Sequence, residues 1–400
     1  MENRRHARKS RTGCFNCKSR KIKCSEAKPA CDACQGRSLC CIYPSKAQIQ
    51  NRRRKIPRRN DDVISQLTLV PPGATPGLFR AADFQHFHHF LMVAYPHLPF
   101  DSAGAWTCEI PQLAHQYEPL LHAVISLGAS HFGLITSEVA ETSDAVLHRG
   151  LALNGLRTMM AKGHYSNIEL DVMLGICYSL TLQSGYMKDC LNDFVTMIRG
   201  CALITEQIMM RDVPSSVFCL NPENHVQTML QALQNAPSLD SELLDEGVRS
   251  IRAFGYLLKQ GSQRRFHHAL LQTLLDLQIS GLAGYLSFPK VYIVLFTMDE
   301  ASFRGFMADN NHLTGILFAY FAALLVLMQP YLAHEIPERL SMYQIFGATH
   351  GWLDSIHHRL PVSMRGYIKW PFGITRAFQL NHRALGKDVW VDPLGVNLCE

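Results

Sequence analysis

The chain has 400 residues, 39 Lys and Arg against 33 Asp and Glu, a formal net charge of +6 and an apolar fraction of 47%. It is too long for one small module, and its ordinary globular composition, without a long low-complexity tract, fits a sizeable core plus an accessory domain. The charge is uneven: Met1 to Asn60 hold eighteen Lys and Arg against three Asp and Glu, which leaves 21 basic and 30 acidic residues for the rest. A short basic arm on a mildly acidic body suits a head that binds a polyanion.

The opening MENRRHARKS is polar and basic, with no apolar stretch behind it, so no secretory signal is expected and an intracellular, soluble protein is. Seven cysteines then fall between Cys14 and Cys41, in the order Cys14-x2-Cys17-x6-Cys24-x6-Cys31-x2-Cys34-x6-Cys41 with Cys40 beside the last. The two halves are near copies. In a reducing compartment such clusters are metal ligands more often than disulfides. Zinc takes four thiolates in a tetrahedron, so six cysteines supply one and a half sets unless two sulfurs are shared between two ions. Six thiolates and two Zn²⁺ sum to about −2, which the surrounding Lys and Arg offset while favouring the thiolate form. Between Cys17 and Cys24 stand Lys18, Arg20, Lys21 and Lys23. A short helix there presents several of them together, and its first turn offers backbone N–H groups to a phosphate. Lys or Arg donating to guanine O6 and N7 is the commonest base-specific contact.

Residues 46–75 read as a linker, basic at first and then VPPGATPG, whose prolines and glycines oppose regular structure. Arg52, Arg53, Arg54, Lys55, Arg58 and Arg59 fit a nuclear localisation signal and also a salt-sensitive phosphate-binding tail. No apolar heptad follows the cysteines between Lys46 and Asp62, so a coiled-coil dimeriser is not expected there.

From about residue 76 the pattern is helical. Apolar residues at 113, 117, 120, 121, 124 and 125 form one stripe, and Leu191, Phe194, Val195, Ile198 and Ala202 another. The segment 168–182 is apolar nearly all round and predicts a central helix. Ile316 to Met328 is the most apolar run, short for a membrane span and suited to a buried core helix. In FQHFHHF, His86 and His89 can share a helical face as metal ligands, although a partly buried helix is the simpler reading. Cys108, Cys177, Cys190, Cys201 and Cys219 read as buried thiols. PSLDSELLDE alternates acidic and apolar residues as activation segments do, but reads better as a helix start with Ser238 as its cap. Nucleotide-binding, zinc-protease and hydrolase motifs are absent from the sequence, so no enzymatic activity is expected.

The five spacings of the six cysteines, the run KSRKIKC, the KPAC with Pro29 and the closing Cys41-x-Tyr43 resemble the fungal binuclear zinc cluster (Zn2Cys6) family of transcription factors. The resemblance implies two Zn²⁺ ions held by Cys14, Cys17, Cys24, Cys31, Cys34 and Cys41. It makes Cys14 and Cys31 the bridging ligands and Cys40 only a neighbour. It further implies recognition of CGG-type triplets in double-stranded DNA. Lys21, with Arg20 beside it, would read bases, while Lys18, Lys23 and Arg37 would hold phosphates and fix register. A zinc module that only holds the fold or binds protein is the plain alternative.

Stretches such as YPHLPF, LLHAVISLGASHF and MDEASFRGF resemble the helical C-terminal domain of fungal regulators of the sterol-uptake-control type. The expected organisation is therefore mostly α. A Zn2Cys6 DNA-binding module at 10–45 is joined by the 46–75 linker to an all-helical regulatory domain at 76–400. The expected protein is a nuclear, zinc-dependent, sequence-specific transcription factor that works with the transcription machinery and has no membrane partner. It is expected to activate a secondary-metabolite biosynthetic gene cluster. A homodimer through the helical body and a small-molecule ligand stay open. The rival reading, a sterol- or lipid-responsive regulator of sterol genes, requires a deep apolar pocket.

Overall fold

The computed structural model describes residues 12–20, 22–28, 30–37, 41, 43, 79–95, 104–136, 139–187, 189–211, 215, 217–218, 222–234, 236, 238–332 and 348–384. Two compact units emerge, Met1–Leu78 and Phe79–Glu400. The described residues hold helices and no strands. The first unit carries two short helices, α1 (Phe15–Ser19) and α2 (Asp32–Gln35).

The second unit begins with α3 (Ala81–His89), which runs on as a π-type turn over Phe90–Ala94. A second π-type turn, Ala105–Glu109, leads into α4 (Ile110–Ala114), followed by α5 (Glu118–Thr136), α6 (Val139–Met160), α7 (Asn167–Ser184) and α8 (Leu191–Met209). Then come α9 (Pro222–Ala232), α10 (Ser241–Arg252), α11 (Gly261–Ile279), α12 (Gly281–Ser287), α13 (Pro289–Phe296) and α14 (Glu300–Phe306). The described chain closes with α15 (His312–Leu327), α16 (Gln329–Leu332), α17 (Thr349–Arg359) and α18 (Lys369–Ala384).

Several of the expected elements appear with local causes. Three prolines stand at helix starts, Pro111 in α4, Pro222 in α9 and Pro289 in α13. There the missing N–H costs no hydrogen bond. α7 starts in a capping box, with Ser166 Oγ accepting from Glu169 N (3.2 Å) and Glu169 Oε2 from Ser166 N (2.9 Å). It is buried on nearly every side, and every residue from Ile316 to Met328 in and after α15 is buried, as a helix apolar all round must be. No single helix among the described residues is long and apolar enough to cross a membrane.

Three expectations are corrected. The stripe 113–125 belongs to two helices, because the chain breaks at residues 115–117 and restarts with Pro119 in the first turn of α5. The cap of α10 is Asp240, whose carboxylate accepts from Glu242 N (2.8 Å) and Leu243 N (3.0 Å), and not Ser238. Its negative charge at the positive end of the helix makes it the better cap. Cys108 is exposed and Cys190 half-buried, while Cys177 and Cys201 are buried as expected; Cys219 lies outside the described residues.

The buried apolar residues form two clusters. One gathers α3 to α7 around Trp106, Ile110, Leu120 and Leu127. The other gathers α9 to α18 around Phe266, Tyr320, Phe321 and Trp352. Helix α8 serves both, giving Leu191, Phe194, Val195 and Ile198 to the second and Cys201, Ile204 and Ile208 to the first. At Gly128, α5 comes so close to α3 that a Cβ would lie 2.2 Å from the carbonyl oxygen of His86. Only glycine permits that approach. A cavity bordered by Leu191, Phe306, Thr314, Phe318 and Ile356 measures about 30 Å³, room for one or two waters and far short of a sterol.

Candidate metal centre and nucleic-acid interface

The repeat in the cysteine spacing is a repeat in structure. Cys14 and Cys31 are the N-cap residues of α1 and α2, both in extended backbone (φ −61°, ψ 157° and φ −76°, ψ 152°). Cys17 and Cys34 lie three residues on, so each pair shares one side of a single helical turn. The chain then returns to bring back the third cysteine of each half. The N–H of Cys14 donates to Cys24 Sγ (3.4 Å), and the N–H of Cys31 donates to Cys41 Sγ (3.3 Å). The Cys14 sulfur also accepts from Cys17 N at 3.4 Å, which caps α1.

Two sets of four sulfurs converge, Cys14, Cys17, Cys24 and Cys31 in one and Cys14, Cys31, Cys34 and Cys41 in the other, each set within 4.8 Å throughout. Cys14 and Cys31 are common to both. Their sulfurs lie 3.7 Å apart; Cys14 to Cys34 is 3.7 Å and Cys17 to Cys31 is 3.6 Å. A tetrahedron of sulfurs about 2.3 Å from zinc has edges of about 3.8 Å, whereas a disulfide needs about 2.05 Å. The donor set therefore fits two zinc tetrahedra that share an edge, and the six cysteines are positioned to bind two zinc ions. Five of the six are buried and Cys41 is half-buried.

Burial drives the protonation of the metal-free cluster. It pushes the Cys34 thiol up to about 12, with neighbouring sulfurs adding to the shift, and raises Cys14 and Cys17 as well. At Cys24 the rise from burial is outweighed by the N–H groups of Cys14 and Glu26, which bring it to about 7. Cys41 is lowered first by the N–H of Cys31. A dication in each set supplies the charge that lets the buried thiols ionise.

Tyr43 ties the two halves together. Its hydroxyl donates to the carbonyl of Ala27 (2.7 Å) and lies 3.9 Å from Cys24 Sγ, and Lys28 Nζ stands 5.8 Å from its ring centre. This gives the Cys41-x-Tyr43 signature a physical reason: the residue two beyond the last cysteine pins the loop that follows the third. Thr12 makes a similar tie, its hydroxyl donating to Glu26 (2.6 Å). Neither contact was expected, although Tyr43 was visible as part of a motif.

Among the basic residues, Lys23 and Arg37 are exposed, while Lys18, in α1, and Arg20, at its C-cap, are half-buried. Arg20 turns Nη1 inward, where it has no hydrogen-bond partner among the described residues. Lys21, Cys40 and the run Arg52, Arg53, Arg54, Lys55, Arg58 and Arg59 lie outside the described residues.

Residues 12–50 match the fungal Zn(2)-Cys(6) binuclear cluster domain. The N-terminal module belongs to that family. Two curated relatives agree with this. The Zn(2)-C6 fungal-type transcription factor afumD of Aspergillus fumigatus is 26% identical over 231 residues, 53% of this chain and 60% of that protein. The transcriptional regulatory protein pro1 of Neurospora crassa is 32% identical over 92 residues, 19% of this chain and 13% of that one. The chain thus spans 60% of the length of the first and 13% of the second, less than two thirds of either. The afumD alignment is longer than the 78-residue N-terminal unit, so it includes part of the helical body. No solved structure matches the chain.

Proposed function

We propose that this protein is a nuclear, zinc-dependent transcription regulator that binds DNA through residues 10–45 and is regulated through its helical body. The observation that carries the reading is the pair of edge-sharing sulfur tetrahedra with a basic segment threaded between Cys17 and Cys24. A metal cluster holds that segment without a large core, and Lys and Arg there face the chemistry of a polyanion. In this reading Cys14 and Cys31 bridge the two ions. Lys21 and Arg20 read CGG-type sites in the major groove, and Lys18, Lys23 and Arg37 hold phosphates. The arginine run 52–59 serves nuclear import and adds non-specific affinity.

Both relatives are named as transcriptional proteins, which supports the class. The finer proposal is that the protein activates a secondary-metabolite biosynthetic gene cluster. A genome-wide map of its positions on chromatin tests both levels. Peaks over CGG-bearing promoters of one contiguous cluster are expected. Peaks dispersed over sterol genes would replace the pathway assignment, and no enriched promoter under inducing conditions would overturn the DNA-binding reading.

A further inference from the structure

Away from the cysteine module, the start of the helical body buries a second set of metal-binding side chains. Asp83 and His86 lie one turn apart on α3, and Asp144 faces them from α6. Their ligand atoms all lie within 4.8 Å of one another. Asp83 and His86 are buried, at 1% and 2% exposure, and the Asp144 side chain is 18% exposed, so the site is closed beneath and open at one rim.

The groups around this set are arranged as a supporting shell. His148 Nε2, from the next turn of α6, lies 3.2 Å from Asp83 Oδ1, and His148 Nδ1 lies 2.8 Å from His122 Nδ1 on α5. The ring of Phe79 stacks on both histidines, and Glu118 lies 3.4 Å from His122 Nε2. The second Asp83 oxygen accepts from the N–H of Arg80 (2.6 Å) and caps α3. A carboxylate has room for about four such contacts, so both oxygens keep lone pairs for a metal while its orientation is fixed from behind. The close approach at Gly128 seats His86 against α5.

Two carboxylates this close require a cation. The guanidinium of Arg80 supplies one, 2.6 Å from Asp144 and 3.7 Å from Asp83, but its side chain is 56% exposed and brings a single charge. It can swing into solvent. One imidazole and two carboxylates, with no thiolate, suit a divalent first-row cation such as Zn²⁺, with water completing the coordination at the open rim.

We propose that Asp83, His86 and Asp144 bind a divalent transition-metal cation of the zinc class, distinct from the two ions of the cysteine module, and that Arg80 takes its place when the cation is absent. The cation joins α3, the first helix of the body, to α6. It gives the body its own response to metal, weaker than that of the thiolate cluster and therefore graded over higher free zinc.

The test uses the full chain and Zn²⁺ alone, with metal counted after equilibrium dialysis. About three zinc ions per chain are expected for the natural protein and about two for Asp144→Asn and for His86→Gln. Asp144 sits at the rim, so its variant is expected to keep the helical circular dichroism. Arg80→Met removes the competitor and should tighten the added ion by about tenfold, the scale on which surrounding groups tune metal affinity. With Co²⁺, the third equivalent should add no thiolate-to-metal absorption. Two ions in the natural protein, a third ion that survives both site variants, weaker binding in Arg80→Met, or thiolate absorption growing with the third equivalent would each overturn the site and leave a structural ion pair.

Discussion

Replacing Cys14 by serine should empty both metal positions, whereas the same change at Cys24 should empty one. The two sulfur sets share Cys14 and Cys31 and hold the other four singly, so eight metal–sulfur bonds come from six sulfurs. A structural zinc contributes about 10–16 kcal/mol at neutral pH, or roughly 3 kcal/mol per ligand when divided among four. Cys14→Ser takes one ligand from each tetrahedron, about 6 kcal/mol in total, against about 3 kcal/mol for Cys24→Ser. The difference is about two decades in combined affinity. Serine also keeps the helix start intact, since it replaces the Cys14 sulfur as N-cap of α1 with an equally good acceptor. Any loss therefore reports on metal rather than on the cap. The assay is zinc retained against a graded competing chelator. Cys24→Ser should hold about one ion at chelator levels where Cys14→Ser holds none, and Cys40→Ser should match the natural protein. Equal retention by the Cys14 and Cys24 variants would refute the shared-edge arrangement.

Three other perturbations have defined outcomes. Zinc must displace protons from thiols that burial holds protonated, Cys34 up to about 12 among them, so binding releases protons and weakens as pH falls. The slope should steepen below about pH 7, where Cys24 also becomes protonated; chelator competition between pH 8 and 6 measures it, and a flat profile would contradict the arrangement. Lys18→Ala should weaken binding to all DNA sequences alike and lower the salt slope by about one, while Lys21→Ala should relax base preference at a cost of about 1–3 kcal/mol on the best site; identical losses on every sequence for both would refute the division of roles. Gly128→Ala places a Cβ 2.2 Å from the His86 carbonyl, an overpacking that should cost the body about 1–3 kcal/mol and lower its Tm by several degrees; an unchanged melting curve would show that α3 does not sit tightly on α5.

The metal module was the most legible part of the chain because its information is local. All six cysteines lie within twenty-eight positions, and zinc chemistry restricts the ways six sulfurs can be shared. The helices α7 and α15 were legible for a related reason, since an apolar surface on all sides has one solution in water. The break before α5 and the choice of Asp240 over Ser238 were not, because several residues in each stretch can serve and tertiary packing selects among them. The cluster at Asp83 lay furthest from reach. FQHFHHF drew attention to His86 and His89, but His89 instead lies 2.8 Å from His131. His86 is grouped with Asp83, three positions before it, and with Asp144, more than fifty positions away. The available signal was the pair of short spacings, Asp83-x2-His86 and Asp144-x3-His148, which becomes meaningful only once α3 and α6 face each other.

Helix α8 sets a limit on how the body can be dissected. Its Phe194 face closes one apolar interior and its Ile204 face closes the other. A fragment ending before Leu191 would leave the first interior open to water, and one beginning after Met209 would do the same to the second. Either truncation exposes a contiguous oily surface of the kind that aggregates. Deletion mapping that cuts on either side of α8 would therefore report loss of solubility as loss of regulation.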